Sequence, residues 1–86
     1  MFWTYVISSL TRDYIYVGLT NDINRRVIQH QAGQNKTTKP YRPFELVLTE
    51  HFKTRFEART REKYLKSGIG KEFLRVLIEM HFTSLE

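Results

Sequence analysis

Apolar residues follow two different periods along the chain, and the first period predicts strands. Residues 2–8 are aromatic and β-branched, residues 14–19 have the same character, and the five residues between them favour a turn. These two segments therefore predict a β-hairpin. Residues 44–51 predict a third strand, which follows a polar, basic loop over residues 34–43 that contains two prolines.

Helical spacing of apolar residues predicts helices between and after these strands. The first helix is expected over about residues 22–32, where side chains that can cap a helix precede the apolar repeat and Gly33 supplies a stop. Thr54 and Glu57 form a capping-box pattern, so a second helix is expected over about residues 54–66.

The segment 67–70, Ser-Gly-Ile-Gly, is expected to end the second helix, and a third helix is predicted over residues 71–81. The apolar side of this helix is expected to enter the core, and any part left exposed would support a homodimer. The residues concerned are Phe73, Leu74, Val76, Leu77 and Met80. The predicted order of elements is β-β-α-β-α-α.

The length of the chain fits one domain over residues 1–86, since a chain of this size forms a single small core. No cysteine is present, which excludes disulfides, thiolate metal sites and a cysteine nucleophile and favours a reducing, cytoplasmic setting. No apolar run reaches the roughly 18 residues that cross a bilayer. The first residues also lack the basic segment of a signal peptide. Neither a membrane partner nor processing is therefore expected.

The positive charge lies mainly in the first half of the chain. The net charge is +5, and residues 1–43 hold six lysines and arginines against two acidic residues. Residues 44–86 hold eight against seven. This surplus favours a polyanionic partner such as nucleic acid.

Five polar residues occupy positions from which they could share one site. Tyr5 and Tyr16 lie on the two hairpin strands, and Arg26 and His30 share a helical face because they are four residues apart. Glu62 lies on a stripe of the second helix that otherwise faces the core. Together such residues can supply the base, the cation and the metal ligand that phosphodiester hydrolysis needs. Each one also has an ordinary structural alternative: packing for the tyrosines, a solvated arginine, and a glutamate paired with a nearby lysine.

Other motifs in the sequence predict little chemistry. Residues 67–71 contain a GxGK string without P-loop spacing or a preceding strand, so a helix cap and restart is the better interpretation. His30, His51 and His81 are scattered without zinc-site spacing. The basic loop over residues 36–42 either follows a phosphate backbone or is simply solvated, and the sequence favours neither.

The order and spacing of the five polar residues resemble those of the GIY-YIG nuclease family. Trp3-Thr4-Tyr5 stands where the first motif, Gly-Ile-Tyr, would be, with only its tyrosine retained, and Tyr16-Val17-Gly18 matches the second motif. Arg26 follows Tyr16 by ten residues, and His30 follows four residues later. The resemblance covers nearly the whole chain and is closest in character to small stand-alone members related to the N-terminal nuclease module of the repair excinuclease. The segment similar to the family's metal-binding helix contains Ala58, Arg61, Glu62 and Lys66.

This resemblance implies a fold and a role for each residue. The family's fold is α+β, a three-stranded antiparallel sheet flanked by helices, which agrees with the order of elements predicted above. Glu62 would hold one divalent cation, Mg²⁺ or Mn²⁺, and Arg26 would contact the scissile phosphate. Tyr16, with Tyr5 nearby, would activate or position the attacking water. The sequence leaves open which of Tyr5, Tyr16 and His30 takes the proton.

The function that the resemblance implies is a metal-dependent endonuclease that hydrolyses DNA phosphodiester bonds. Sequence specificity is expected to be low, with single-stranded, branched or damaged DNA as substrate, a role in DNA repair or processing, and a partner protein or second copy to supply specificity. The alternatives are a catalytically weak nucleic-acid-binding module of the same fold and a pure protein-interaction domain. Further nucleic-acid contacts are expected from Arg25, Lys36, Lys39, Arg42, Lys66 and Lys71.

Overall fold

The three apolar segments pair as one antiparallel sheet. In the computed structural model, which describes residues 1–84, strand β1 (Phe2–Ser9) lies between β2 (Ile15–Thr20) and β3 (Phe44–Phe52). Both neighbours run antiparallel to β1, so the strand order is β2-β1-β3. The predicted hairpin and third strand are therefore confirmed.

The central strand feeds two cores, because successive side chains of a strand point to opposite faces. Val6 packs with Leu65 and Leu74 on one face of the sheet. Tyr5 and Ile7 belong to a second cluster on the opposite face. The candidate tyrosine thus lies in a buried layer that is separate from the main aliphatic core.

A bulge in β3 shifts its pairing with β1 by one residue. Val6 pairs with Leu48, whereas Ile7 pairs with Leu46, so Val47 has no partner on β1. A bulge of this kind lets two consecutive side chains turn toward the same face. Val47 and Leu48 accordingly both pack against the Val6 core.

The helices begin at the expected caps. Helix α1 (Ile23–Gln31) starts after Asp22, whose side chain accepts a hydrogen bond from the Arg25 amide, and Gly33 after it has a φ of 77°. Helix α2 (Arg55–Lys66) starts after Thr54, whose Oγ1 accepts from the Glu57 amide at 3.2 Å. Both predicted start signals and the glycine stop are confirmed.

Helix α3 (Gly68–Ser84) begins three residues earlier than predicted. Ser67 is the physical reason, because its Oγ accepts from the Gly70 amide at 3.2 Å and donates to the Tyr64 carbonyl at 2.6 Å. A Cβ at Gly70 would overlap the backbone of Tyr64 and Leu65, so the chain turns here only with a glycine. One residue, rather than a four-residue segment, separates α2 from α3.

The core prediction for α3 was only partly correct. Leu74 is fully buried and Leu77 packs against the core. Phe73, Val76 and Met80 are 41%, 57% and 65% exposed, so the prediction was wrong for these three residues. Helix α3 packs through one side only, and an apolar composition does not say which side will find a partner.

Two side-chain contacts fix the helices against the sheet. Thr4 Oγ1 donates to the Ala58 carbonyl at 2.7 Å and so ties α2 to β1. Gln31 exchanges two hydrogen bonds with the Phe44 backbone, at 2.8 and 3.0 Å, and so ties the end of α1 to the start of β3. A 3₁₀ turn, Lys39–Tyr41, interrupts the predicted loop between them. No described helix combines the length and apolarity that crossing a membrane requires.

Candidate active site

Tyr5, Tyr16 and His30 meet on the sheet face that α1 covers. Tyr5 is fully buried, and its Oη lies 2.7 Å from His30 Nε2. The Tyr16 ring centroid lies 5.0 Å from that of His30 and 6.2 Å from that of Tyr5. Tyr16 pairs with Ile7 across β1 and β2, which places it diagonally from Tyr5 on the same face. The structure thus gathers the two motif tyrosines around one imidazole.

Arg26 lies one helical turn before His30 and carries a donor without a partner. Its Nη1 donates to Gln29 Oε1 at 3.2 Å. Its Nε is buried and has no hydrogen-bond partner among the described residues. An unpaired buried donor is costly, and it is costlier still on a charged group. A phosphate oxygen is the kind of acceptor that would satisfy this nitrogen.

The electrostatics of the cluster keep Tyr5 protonated and His30 neutral. Burial raises the pKa of Tyr5 to about 12, an effect that the neighbouring Arg26 guanidinium partly offsets. Burial also lowers the pKa of His30, and the positive charge of Arg26 lowers it further. Near neutral pH, Tyr5 is therefore a neutral hydroxyl, and one nitrogen of His30 is a free acceptor.

Thr38 contacts the other side of His30, and the sequence did not indicate it. Its Oγ1 lies 2.9 Å from His30 Nδ1, and the residue is fully buried. Asn35 holds this part of the loop, because its Oδ1 accepts from the amides of Thr37 and Thr38 at 2.9 and 3.3 Å. An asparagine before two threonines is a signal for such a turn. The basic loop is therefore not simply solvated, since its centre supports the histidine.

Gly18 makes room for Tyr5. The two residues are directly paired, and a Cβ at position 18 would lie 2.5 Å from both Cζ and Oη of Tyr5. Real Cβ atoms essentially never approach other heavy atoms so closely. The glycine of the second motif thus has a structural reason, a close approach by a ring that bonds His30.

Glu62 lies on α2, which packs on the opposite side of the sheet, and it does not join the hydrogen-bonded cluster. The residue is 6% exposed, and its carboxylate oxygens face Arg59 Nη1 at 3.4 Å and Lys66 Nζ at 3.2 Å. Its negative charge is one of the smaller effects that raise the pKa of Tyr5. The inward placement predicted for this glutamate is observed, and so is its pairing with a lysine four residues later.

The six basic residues predicted to contact nucleic acid lie in different places. Lys66 and Lys71 line a groove of about 340 Å³ with Tyr16 and Arg75. Lys39 and Arg42 lie near Gly33 at the end of α1, in the loop that also holds Lys36. Arg25 donates to Asn21 Oδ1 at 3.2 Å at the start of α1. Of the six, only the two lysines of the groove line the same cavity as a residue of the tyrosine cluster.

The described residues contain no group of three or more His, Cys, Asp or Glu side chains that would form a complete metal cage. Any divalent ion would therefore need ligands from water and from a bound anion in addition to the protein. Glu62 is the buried carboxylate available for such a shared site.

Comparison with known proteins gives consistent matches in sequence and in structure. A family model described as the GIY-YIG catalytic domain matches residues 1–72. UPF0213 protein SSP2268 of Staphylococcus saprophyticus is 39% identical over 66 residues, which cover 76% of this chain and 80% of the relative. UPF0213 protein YazA of Bacillus subtilis is 46% identical over 58 residues, which cover 66% of this chain and 59% of the relative. The solution NMR structure of UPF0213 protein BH0048 from Bacillus halodurans superposes with a TM-score of 0.53 at 33% identity, covering 90% of this chain and 85% of that one.

Proposed function

The chain belongs to the GIY-YIG family, whose catalytic domain is of nuclease type, and from this premise we propose that it is a metal-dependent endonuclease that hydrolyses DNA phosphodiester bonds. The proposal assigns the chemistry to Tyr5, Tyr16, Arg26, His30 and Glu62. It includes the whole chain as one catalytic domain, and it places the cysteine-free protein in the cytoplasm.

The observation that carries this proposal is the buried, unpaired Nε of Arg26 beside the tyrosine cluster. A guanidinium can bind a phosphate through two parallel hydrogen bonds. Because Arg26 already sits at the cluster, it would hold a phosphoryl oxygen and stabilise the negative charge that grows in the transition state. A purely structural arginine would have its donors satisfied.

The two tyrosines have different access to the attacking water. Tyr5 is fully buried and its pKa is raised to about 12, so it acts as a neutral hydrogen-bonding group rather than as the base. Tyr16 retains some exposure and lines the groove. We therefore assign the positioning of the water to Tyr16, with Tyr5 and His30 as the buried pair behind it.

Glu62 fits a divalent ion that is shared with substrate and solvent. Mg²⁺ usually keeps several waters and binds through one or two carboxylates together with phosphate oxygens, which matches a site with one buried carboxylate. The side chains of Arg59 and Lys66 that face this carboxylate are 55% and 54% exposed, so both can move aside. Mg²⁺ or Mn²⁺ bound there would polarise the phosphoryl group as a Lewis acid.

The groove beside Tyr16 supports a path for the nucleic-acid strand. Lys66 and Lys71 lie along it, and such cations bind a phosphate backbone without regard to sequence. Low sequence specificity, selectivity for a DNA structure and a role in repair or processing belong to this proposal. A second copy or a partner protein would then supply further specificity.

Cleavage of labelled DNA tests the proposal. Single-stranded, duplex, flap and junction substrates of shared sequence are incubated with Mg²⁺, Mn²⁺ or EDTA. Arg26→Ala and Glu62→Gln are expected to abolish metal-dependent cleavage. Glu72→Gln is the matched control, because Glu72 is an exposed acid on α3 that pairs only with Arg75 at 3.5 Å, and it should retain full activity.

The outcomes separate the three functional classes. Cleavage that needs metal and is lost in both site variants supports the endonuclease. Salt-dependent DNA binding without cleavage under any of these conditions would instead indicate the nucleic-acid-binding module. The absence of salt-dependent DNA binding would contradict both and favour a protein-interaction domain.

A further inference from the structure

A line of buried hydrogen bonds runs from the tyrosine cluster into the basic loop. Tyr5 Oη lies 2.7 Å from His30 Nε2, and His30 Nδ1 lies 2.9 Å from Thr38 Oγ1. Thr38 Oγ1 in turn lies 3.5 Å from the Asn35 carbonyl oxygen. Tyr5 and Thr38 are fully buried and His30 is 1% exposed, so solvent does not complete these bonds.

The protons of this line can be arranged in two directions. In the first, Tyr5 donates to His30 Nε2, His30 Nδ1–H donates to Thr38, and Thr38 donates to the Asn35 carbonyl. In the second, Thr38 donates to His30 Nδ1, and His30 Nε2–H donates to Tyr5. A neutral imidazole has one donor and one acceptor nitrogen, so the two directions exclude each other.

Counting donors and acceptors distinguishes the two directions. In the first, every proton has an acceptor, because a carbonyl can only accept and therefore fixes the far end of the line. In the second, the hydroxyl proton of Tyr5 would need a further acceptor. No such bond from Tyr5 is found in the described part of the chain. The neighbouring Arg26 offers only donors. A buried hydroxyl without an acceptor is costly, which favours the first direction.

We propose that Thr38 is a positioning residue, which fixes His30 as the Nδ1–H tautomer so that the Tyr5 hydroxyl points inward and turns its lone pairs toward Arg26. This inference rests on the proposed function, in which Arg26 binds the scissile phosphate. The groups that face His30 are Tyr5, Tyr16, Arg26, Thr38 and Phe44, and Arg26 carries the only full charge among them.

The tautomer matters because it decides what Tyr5 offers to Arg26. With the first direction, the Tyr5 oxygen can accept from the guanidinium and hold it in the cluster. With the second direction, the hydroxyl proton would face a cation and push it away. A threonine in the loop thereby controls the placement of an arginine on α1 without touching it.

Nitrogen NMR of the imidazole reads the tautomer directly and needs no activity. In ¹⁵N-labelled wild-type protein at neutral pH, His30 is expected to show a protonated Nδ1 and an unprotonated Nε2. His51→Gln and His81→Gln provide the assignment of the three histidines. Thr38→Val removes the hydroxyl at nearly constant volume, and it should shift His30 toward the Nε2–H form. Thr38→Ser keeps the hydroxyl and should preserve the wild-type tautomer.

Kinetics give the second readout. Thr38→Val is expected to lower kcat by roughly tenfold or more with KM changed by no more than about twofold, and Thr38→Ser should restore most of the activity. A wild-type His30 in the Nε2–H form would overturn the inference. So would a folded Thr38→Val protein with unchanged tautomer and kcat. Absence of DNA cleavage in the wild type would refute the proposed function instead, while the NMR result would still report on Thr38.

Discussion

A methyl group at position 18 would disturb the site through the close fit between β2 and Tyr5. The Cβ of Gly18→Ala would lie 2.5 Å from Cζ and Oη of Tyr5 and 2.7 Å from its Cε1. Non-bonded carbon atoms prefer about 3.5–4.0 Å, so the ring must withdraw by roughly 1 Å. That movement would lengthen the 2.7 Å contact between Tyr5 and His30 beyond hydrogen-bonding range.

The expected loss of stability follows from these contacts. Overpacking a core costs about 1–3 kcal/mol, and a lost hydrogen bond costs about 0.5–1.5 kcal/mol. Alanine is otherwise favoured over glycine in a strand by about 0.5–1 kcal/mol, which offsets part of the loss. We therefore expect Gly18→Ala to lower the free energy of unfolding by about 1–3 kcal/mol and to reduce DNA cleavage.

Urea denaturation followed by circular dichroism measures the change in stability. Gly68→Ala is the matched control, because a Cβ at that position meets no atom within 4 Å, and it should change the free energy of unfolding by less than about 0.5 kcal/mol. In a Tyr5→Leu background, which removes the opposing ring atoms, Gly18→Ala should lose most of its effect. A Gly18→Ala protein as stable as wild type, or an equal cost in both backgrounds, would refute the steric reasoning.

Three further predictions concern other parts of the molecule. Because the pKa of His30 is lowered by folding, the unfolded chain binds its proton first, so stability should fall as pH drops below about 6.5; His30→Gln should remove this part of a pH-dependent melting profile. Leu74→Ala should cost about 2–5 kcal/mol in the same denaturation assay, whereas Val76→Ala, on the exposed side of α3, should stay within about 0.5 kcal/mol, and equal costs would contradict the packing described for this helix. Replacing Lys66 and Lys71 by glutamine should reduce the salt dependence of DNA affinity by about one unit of slope for each lysine, measured by fluorescence anisotropy, and an unchanged slope would exclude the groove as the path of the strand.

Local signals predicted the elements well because their causes are local. Thr54 and Glu57 are three residues apart, and their reciprocal cap forms wherever a helix follows them. Gly33 adopts a positive φ that other residues rarely adopt. Such features depend on neighbours in sequence, so reading the sequence is sufficient to find them.

The rest depends on which distant segment arrives, and a sequence pattern does not specify that. Thr38 is polar and lies in a basic loop, and only the fold shows that it reaches His30 eight residues earlier. Val76 and Met80 look like core residues, but no other element covers that side of α3 among the described residues. The five polar candidates could be named from their spacing, whereas the separation of Glu62 from the tyrosine cluster required coordinates.

The unpaired residue of β3 makes the length of this strand part of the design. Beyond the bulge at Val47, Glu50 points toward α2 and binds Arg61 through two contacts of 2.7 and 3.3 Å. Deleting Val47 would restore regular pairing to β1, but it would turn one half of the strand over, because a slip of one residue exchanges the two faces. Substitutions in β3 alter single contacts, whereas a one-residue deletion would exchange whole layers. We therefore expect this strand to accept changes of residue far more readily than changes of length.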